Sequence, residues 1–280
     1  MKDEEYQYTP EDLPTDNGNE MDKEREKELE KFCENVIIIL QTVNEKEFQA
    51  ALTYMKPPSE NFTKAVIYPE NAMVVGMFAN KEVALIRTNP GVKVTKYVKD
   101  AIEAYPNARY VIGVGVCYAF DRDKAKKGDV LISEKINDNV NNKYTSTSDI
   151  ENRGQSVDVP HRLSKIFCLG PEYTDYVVSD SERKAHAYSG TFCSSPVLVN
   201  DKVQREKYRK ANPTAIGGEM EGGMLLEFMQ DDEWNKKVII IKGVADYADG
   251  KKDKEWQFTA AMAALHYTEK QLRKVPRKNL

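Results

Sequence analysis

The fold is decided by one strongly β-branched segment, Lys237-Val238-Ile239-Ile240-Ile241-Lys242-Gly243-Val244. Such a continuous apolar run is typical of a strand that is buried on both faces of a parallel sheet. A similar run, Val36-Ile37-Ile38-Ile39-Leu40, opens the apolar part of the chain, and Tyr110–Val116 lies between the two. These runs predict a central sheet that is covered on both sides by other layers.

Helical patterns alternate with the predicted strands. Additional strands are predicted at Ala72–Phe78, Val83–Thr88 and Gly128–Ser133. Helices are predicted at Asn44–Tyr54, Val94–Tyr105, Glu219–Gln230 and Gln257–Arg273. The alternation predicts an α/β layered fold with a mostly parallel central sheet. In such sheets the ligand lies beyond the carboxyl ends of the strands, so we expect a site just after Leu40, Thr88, Val116 and Val244.

The composition excludes several classes of protein. The 280 residues are enough for one large α/β domain, and no apolar run reaches the 18 residues of a membrane-spanning helix. The N-terminus has no apolar signal region. The four cysteines are far apart and the three histidines are isolated, so we expect neither a disulfide framework nor a metal site. A reducing, cytoplasmic setting fits this cysteine usage.

Charge is unevenly distributed along the chain. The net charge is −4, and residues 1–34 hold 13 acidic and five basic side chains, which leaves +4 for the remainder. We predict that residues 1–30 are an acidic, disordered lead-in and that residues 31–280 form a single domain. An excess of +4 is too small to indicate nucleic-acid binding, although it is compatible with a pocket for a small anion.

Asp246 follows the decisive strand and is the first candidate for chemistry. Asp249-Gly250 is an ordinary turn dipeptide, so one interpretation of Asp246 is a turn or capping residue. The other interpretation is a carboxylic acid at the exit of a buried strand, placed to donate a proton.

Two glycine-containing segments are the next candidates. Gly217-Gly218-Glu219-Met220-Glu221-Gly222-Gly223 places glycines in a predicted helix start, where each interior glycine costs about 1 kcal/mol. Close approach of another backbone or of a ligand would explain them. Gly113-Val114-Gly115-Val116-Cys117-Tyr118 fails as a dinucleotide-binding motif because Tyr118 stands at the third glycine position. Cys117 has no neighbouring histidine, which favours a core thiol over a nucleophile.

Taken together, these segments resemble the purine/uridine phosphorylase superfamily of nucleoside phosphorylases and nucleosidases. The resemblance is carried by Ile216–Gly222 and Lys242–Gly250, with support from Val114–Cys117, Gly128–Ser133 and Gly190–Ser195. It implies one three-layer α/β/α sandwich whose sheet partly closes into a barrel. It also implies cleavage of the N-glycosidic bond of a nucleoside, without a cofactor or a metal.

The resemblance also implies roles for individual residues. Asp246 matches the acid that protonates the departing purine at N7, and Glu221 matches the glutamate that holds the ribose hydroxyls. Met220 would pack against the sugar, while Leu198 and Val199 would line the base pocket. Glu219 and Cys117 belong to the motif segments and are counted among the residues that line the site. Glu47 is similar to the glutamate near the ribose and the attacking water.

One departure from the family pattern concerns the attacking group. Phosphorylases of the family place small, phosphate-binding residues where Val116 and Tyr118 stand here. This difference favours water as the nucleophile. A phosphate-dependent phosphorylase is the alternative, and a catalytically inactive module that senses a purine nucleotide is a third hypothesis.

Within the family, the segments Glu219-Met220-Glu221-Gly222 and Asp246–Lys252 most resemble domains of immune and stress proteins, some of which depurinate nucleotides such as ATP. On that basis Arg87, Arg153, Lys251 and Lys252 are candidates for contacting phosphates, since arginine in particular suits bidentate contact. A solvated surface charge is the alternative interpretation of each. The family also implies a homo-oligomer, and the acidic lead-in resembles a connection to a signalling module.

Overall fold

A computed structural model describes residues 23–68, 73–89, 93–139, 142–144, 150–178, 182–232, 234–251 and 255–280. Within these residues the α-helices are α1 Lys23–Glu34, α2 Glu45–Leu52, α3 Val94–Ala104, α4 His161–Phe167, α5 Lys202–Ala211, α6 Gly222–Leu225, α7 Glu227–Gln230 and α8 Trp256–Arg273. A short 3-10 helix spans Arg277–Asn279.

The strands are β1 Ile38–Thr42, β2 Val66–Tyr68, β3 Met73–Phe78, β4 Lys81–Arg87, β5 Tyr110–Ala119, β6 Val130–Asp138, β7 Asn142–Tyr144, β8 Ile150–Asn152, β9 Ser156–Asp158, β10 Glu172–Val177, β11 Lys184–Ser194, β12 Ala215–Glu219 and β13 Lys237–Asp246. All but β7 and β8 belong to one large sheet with the order β10-β11-β6-β13-β5-β1-β4-β3-β2. Strand β12 pairs with both β11 and β5, so β5, β12, β11, β6 and β13 close into a five-stranded barrel.

The centre of the sheet is parallel, as the β-branched runs predict. Strand β1 pairs in parallel with β4 and β5, and β13 pairs in parallel with β5. Strands β2 and β3 add antiparallel pairs at one margin, and β13 meets β6 in the antiparallel sense. The carboxyl ends of β1, β4, β5 and β13 therefore lie at one edge.

Both faces of this sheet are buried. In β13, Ile239 and Ile241 pack in the core beneath α8, whereas Val238 and Ile240 pack in the core on the opposite face. Helices α2, α4 and α8 cover the first face, and α3, α6 and α7 cover the second. The predicted three-layer sandwich with a partly barrel-closed sheet is confirmed.

Two local predictions are wrong. The segment predicted as a helix at Glu219–Gln230 begins as the end of β12, and α6 starts only at Gly222. The side chain of Glu219 accepts hydrogen bonds from the backbone N–H groups that follow it, which delays the helix. The polar composition of segment 135–160 also predicts one long functional loop, but β6 continues to Asp138 and pairs with β9.

The N-terminal boundary falls within a helix. Helix α1 begins at Lys23, and Leu29 is buried in the core of the second face. The predicted boundary at residue 30 therefore lies inside α1, while residues 1–22 lie outside the described residues. Among the described helices, none is long and apolar enough to cross a membrane.

Candidate active site

The carboxyl edge of the central strands brings the predicted carboxylates together. Glu47 follows β1, Glu219 ends β12, Glu221 precedes α6 and Asp246 ends β13. Strand β5 links these groups, because Val116 N–H bonds to Glu47, Tyr118 pairs with Gly218 just before Glu219, and Asp246 lies opposite Tyr118 in the register. The edge that the topology predicted is therefore where the candidate residues meet.

The Glu47 carboxylate is held by three backbone N–H groups from two segments of the chain. Asn44 and Glu47 form a capping box at the start of α2, in which the Asn44 side chain accepts from Glu47 N–H and the Glu47 carboxylate accepts from Asn44 N–H. Glu47 Oε2 also accepts from Val43 N–H at 2.7 Å, and Oε1 accepts from Val116 N–H at 2.9 Å. This buried carboxylate therefore joins the exits of β1 and β5.

Gly115 makes room for that carboxylate. Its φ of +145° lies in a region that side-chain-bearing residues rarely adopt. A Cβ atom at this position would lie 2.4 Å from Glu47 Cδ, well inside van der Waals contact. Glycine is therefore required at position 115 because the Glu47 carboxylate lies where a Cβ atom would be.

Lys242 is a site residue that the sequence analysis missed. It lies in the middle of β13, is fully buried, and places Nζ 3.2 Å from Glu221 Oε2 and 3.4 Å from the carbonyl oxygen of Val114. The sequence does indicate this residue, because Lys242 directly follows Ile239-Ile240-Ile241 in a strand predicted to be buried on both faces. Charged side chains are almost never fully buried unless they are paired.

Three glutamates surround the single ammonium group of Lys242. Burial alone would lower the pKa of Lys242, but Glu221, Glu47 and Glu219 outweigh this effect and raise it, so the ammonium stays charged. Burial also raises the pKa of Glu47; Lys242 opposes that rise and Glu221 adds to it. A buried carboxyl group whose pKa is raised is a candidate for proton exchange in catalysis.

Glu219 organises the turn that carries Glu221. Its carboxylate accepts from the backbone N–H groups of Glu221 and Gly222 at 2.9–3.0 Å. Burial, with the neighbouring Glu221, raises the pKa of Glu219 to about 7. A Cβ atom on Gly222 would lie 2.9 Å from Glu219 Oε1, and one on Gly223 would lie 2.8 Å from Asp138 Oδ1. The close approach expected at these glycines therefore comes from carboxylates of the chain itself.

Asp246 begins a tight turn after β13. Its Oδ1 accepts from Ala248 N–H at 2.8 Å, which fixes the orientation of the carboxyl group. Ala248 adopts a φ of +50° and Gly250 a φ of +82°. The turn and the acid interpretations of Asp246 are therefore compatible, since one oxygen organises the turn while the group stays at the strand exit.

An aromatic cluster flanks Asp246 on the side predicted to receive the base. Tyr118 lies opposite Asp246 in the sheet register, and its ring meets the Phe120 ring edge-on in a buried cluster that also contains Val199 and Ala248. Val199 is 6% exposed, whereas the neighbouring Leu198 is 56% exposed. Met220 is half-buried between β12 and α6. The substrate contacts of Leu198, Val199 and Met220 stay predictions.

Cys117 has the environment of a core thiol. It is 5% exposed on β5, and burial raises its pKa well above the ordinary value. Since the thiolate is the nucleophilic form, this environment does not favour nucleophilic chemistry.

The basic candidates lie on different elements of the fold. Arg87 ends β4, where its guanidinium pairs with Glu45 and lies 6.0 Å from the centre of the Phe48 ring. Arg153 is exposed between β8 and β9, and Lys251 follows the Asp246 turn with its N–H bonded to Asp249. Lys252 lies outside the described residues. Over the described ranges, no group of three or more His, Cys, Asp or Glu residues is placed to hold a metal ion.

Residues 35–276 match the family model of the phosphorylase superfamily. A curated relative, the "Death domain-containing ATP nucleosidase" of Amphimedon queenslandica, is 28% identical over 269 residues, which is 86% of this chain and 49% of the relative. The chain therefore spans about half the length of that relative.

Solved structures of nucleosidases share the fold. The 5'-methylthioadenosine/S-adenosylhomocysteine nucleosidase of Neisseria meningitidis superposes with a TM-score of 0.67 at 20% identity, covering 85% of this chain and 99% of that one. The futalosine hydrolase of Helicobacter pylori superposes with a TM-score of 0.66 at 15% identity, covering 86% and 99%.

Proposed function

Because the chain belongs to the phosphorylase superfamily, we propose that this site hydrolyses the N-glycosidic bond of a purine nucleoside or nucleotide and releases the free base. Loss of a base builds positive charge on the sugar and negative charge on the base. The three glutamates at the carboxyl edge, Glu47, Glu219 and Glu221, suit the first requirement, and an acid at Asp246 suits the second.

The two ends of the substrate are assigned to different residues. Glu221, anchored by Lys242, binds the ribose hydroxyls and favours the positive charge that develops on the sugar. Asp246 protonates the leaving purine at N7, and the Tyr118–Val199 cluster supports the base beside it. Met220 packs against the sugar, and Leu198 extends the base pocket outward.

The observation that carries hydrolysis is the position of the Glu47 carboxylate. This carboxylate accepts the hydrogen bond of Val116 N–H and fills the space above Gly115. A phosphate ion placed at the same N–H would meet both the atoms and the charge of Glu47. Water is therefore the proposed nucleophile, and Glu47 the proposed base that accepts its proton.

A nucleotide such as ATP is the favoured substrate. The relative from Amphimedon queenslandica is named an ATP nucleosidase. Arg87, Arg153 and Lys251 are the proposed contacts for the phosphates, and Arg87 would have to exchange Glu45 for a phosphate oxygen.

The experiment measures free base by chromatography after incubation with ATP, adenosine, guanosine and inosine, each with and without inorganic phosphate. Base release that is independent of phosphate, and faster from ATP than from adenosine, is expected. Release that requires phosphate would establish the phosphorylase instead. Binding of ATP without any base release would establish the sensing module.

The acid assignment has its own control. Asp246→Asn keeps an oxygen that can accept the Ala248 N–H bond but removes the proton donor, so we expect turnover to fall by about 100-fold or more at an unchanged melting temperature. Wild-type turnover in this variant would refute the role of Asp246.

We further propose that the domain works as a homo-oligomer and beside a signalling module, in an immune role in the cytoplasm. Val197, Leu198 and Val203 are each more than half exposed and lie close in sequence to Val199, and an exposed apolar patch is typical of a protein–protein interface. The death domain named in the relative supports an attached module. Sedimentation of the wild type and of Val203→Glu tests the oligomer, because the charge should dissociate it.

A further inference from the structure

Helix α5 supplies a cation to the turn that carries Asp246. Arg205 Nη1 donates to the carbonyl oxygen of Tyr247 at 3.0 Å. Its Nε and Nη2 donate to Glu206 Oε1 at 3.1 and 2.8 Å, so the guanidinium plane is fixed by its neighbour on the helix. The Arg205 side chain is 13% exposed, which protects this contact from solvent.

The same helix also supports the other wall of the predicted base pocket. Tyr208 lies three residues after Arg205 and therefore on the same side of α5. Its hydroxyl bonds to Ser195 Oγ at 2.9 Å, and its ring packs in the cluster that contains Val199. One helix thus contacts the chain just after β11 and just after β13.

The Asp246 turn needs external support because its backbone is strained. Ala248 has a left-handed backbone, although it carries a Cβ atom, and such conformations persist only when surrounding contacts hold them. The Ala248 N–H is also the group that orients the Asp246 carboxyl, at 2.8 Å. A contact that holds Tyr247 therefore holds the acid as well.

We propose that Arg205 is a positioning residue for Asp246: by binding the Tyr247 carbonyl oxygen, it keeps the acid aimed at the base that Val199 supports. This inference rests on the proposed function and assigns a further residue to the same site. A misplacement of about 1 Å at a reacting group can cost about 100-fold in rate.

Arg122 contacts the same turn through the side chains of Asp249 and Tyr247. Its Nη2 lies 2.6 Å from Asp249 Oδ2, and its guanidinium stacks 4.5 Å from the centre of the Tyr247 ring. The Arg122 side chain is 60% exposed, so solvent weakens its ion pair. Arg205 is therefore the contact to test.

The test compares Arg205→Met and Arg205→Lys with Arg209→Met as the matched control. Arg209 lies on the same helix, is exposed, and approaches Glu206 only to 3.9 Å. Base release is measured from the best purine substrate and from 4-nitrophenyl riboside, whose leaving group needs no protonation. We expect Arg205→Met to lose about 100-fold in kcat on the purine, with KM and the nitrophenyl rate near wild type. Arg205→Lys should recover part of the loss.

Equal losses on both substrates, or no loss on the purine, would overturn the inference, as would a similar loss in Arg209→Met. Hydrogen exchange at the Ala248 amide gives a readout that does not depend on activity. Faster exchange in Arg205→Met than in Arg209→Met is expected, and equal exchange overturns the inference. If the wild type itself releases no base, the proposed function fails, and the exchange measurement still decides whether Arg205 holds the turn.

Discussion

Lys242 Nζ lies 3.2 Å from Glu221 Oε2 at the centre of the carboxyl edge, and both side chains are buried. The lysine comes from the middle of β13 and the glutamate from the turn before α6. One contact therefore fixes the glutamate predicted to bind the sugar to a strand that is buried on both faces of the sheet. Removing either partner leaves the other as an uncompensated buried charge.

We expect Lys242→Met to lower the free energy of unfolding by about 3–5 kcal/mol, because the buried Glu221 carboxylate loses its positively charged partner. Chemical denaturation measures this loss, and Lys237→Met, at the half-buried start of the same strand, is the control. Adding Glu221→Gln to Lys242→Met should cost less than the sum of the single changes. Strictly additive losses would contradict the pairing.

Glu47→Ala should reduce base release by about 100-fold or more, since it removes the proposed base. The change also vacates the Val116 N–H and the space above Gly115. A small carboxylate can enter that space, so added formate should restore part of the activity. Formate should have no effect on Asp246→Asn, where the vacated position does not exist. Loss of activity without any rescue would argue against a carboxylate acting there.

Stability should depend on pH through Glu219. Burial raises its pKa from 4.5 to about 7, so the folded state holds the proton more tightly than the unfolded state. Between these two values only the folded state retains the proton. The free energy of unfolding therefore decreases as pH rises, by up to about 1.4 kcal/mol per pH unit.

Glu219→Gln should flatten this dependence, because the amide does not titrate. Glu103→Gln is the control, since Glu103 is exposed on α3 and should leave the slope unchanged. The comparison is made by urea unfolding at several pH values between 4.5 and 7. An equal slope in wild type and Glu219→Gln would assign the proton uptake to another group.

Leu198 and Val199 should respond differently to truncation. Val199→Ala removes two buried methyl groups and is expected to cost about 2 kcal/mol of stability. Leu198→Ala removes exposed surface, so the melting temperature should stay the same while KM rises if the base contacts Leu198. An unchanged KM in Leu198→Ala would remove this residue from the proposed pocket.

The sequence predicts the central layer well because each of its main strands is a continuous β-branched run that can be identified without knowing the rest of the fold. Three β-branched runs, ending in Leu40, Val116 and Val244, are too apolar to lie anywhere but between two layers, and they form β1, β5 and β13. The edge at which candidate residues meet follows from the parallel order of these strands. The exits of β1 and β13 indeed carry Glu47 and Asp246.

Contacts that depend on distant parts of the chain could not be predicted in this way. The end of β12 is made by pairing with β11 and β5, and Glu219 then bonds to the backbone beyond it, so a helical pattern was misleading there. Lys242 carried a local signal, a charge within an apolar strand. Its partner Glu221, 21 residues earlier, becomes evident only when the strands are assembled.

The capping role of Glu47 has an evolutionary consequence. The same carboxylate closes the first turn of α2 and fills the anion position at Val116. A lineage that moved towards phosphate as the attacking group would have to give up this side chain and find a new start for α2 at the same time. Single substitutions would pass through an intermediate that is less stable and less active, so the architecture itself would tend to hold its descendants to water.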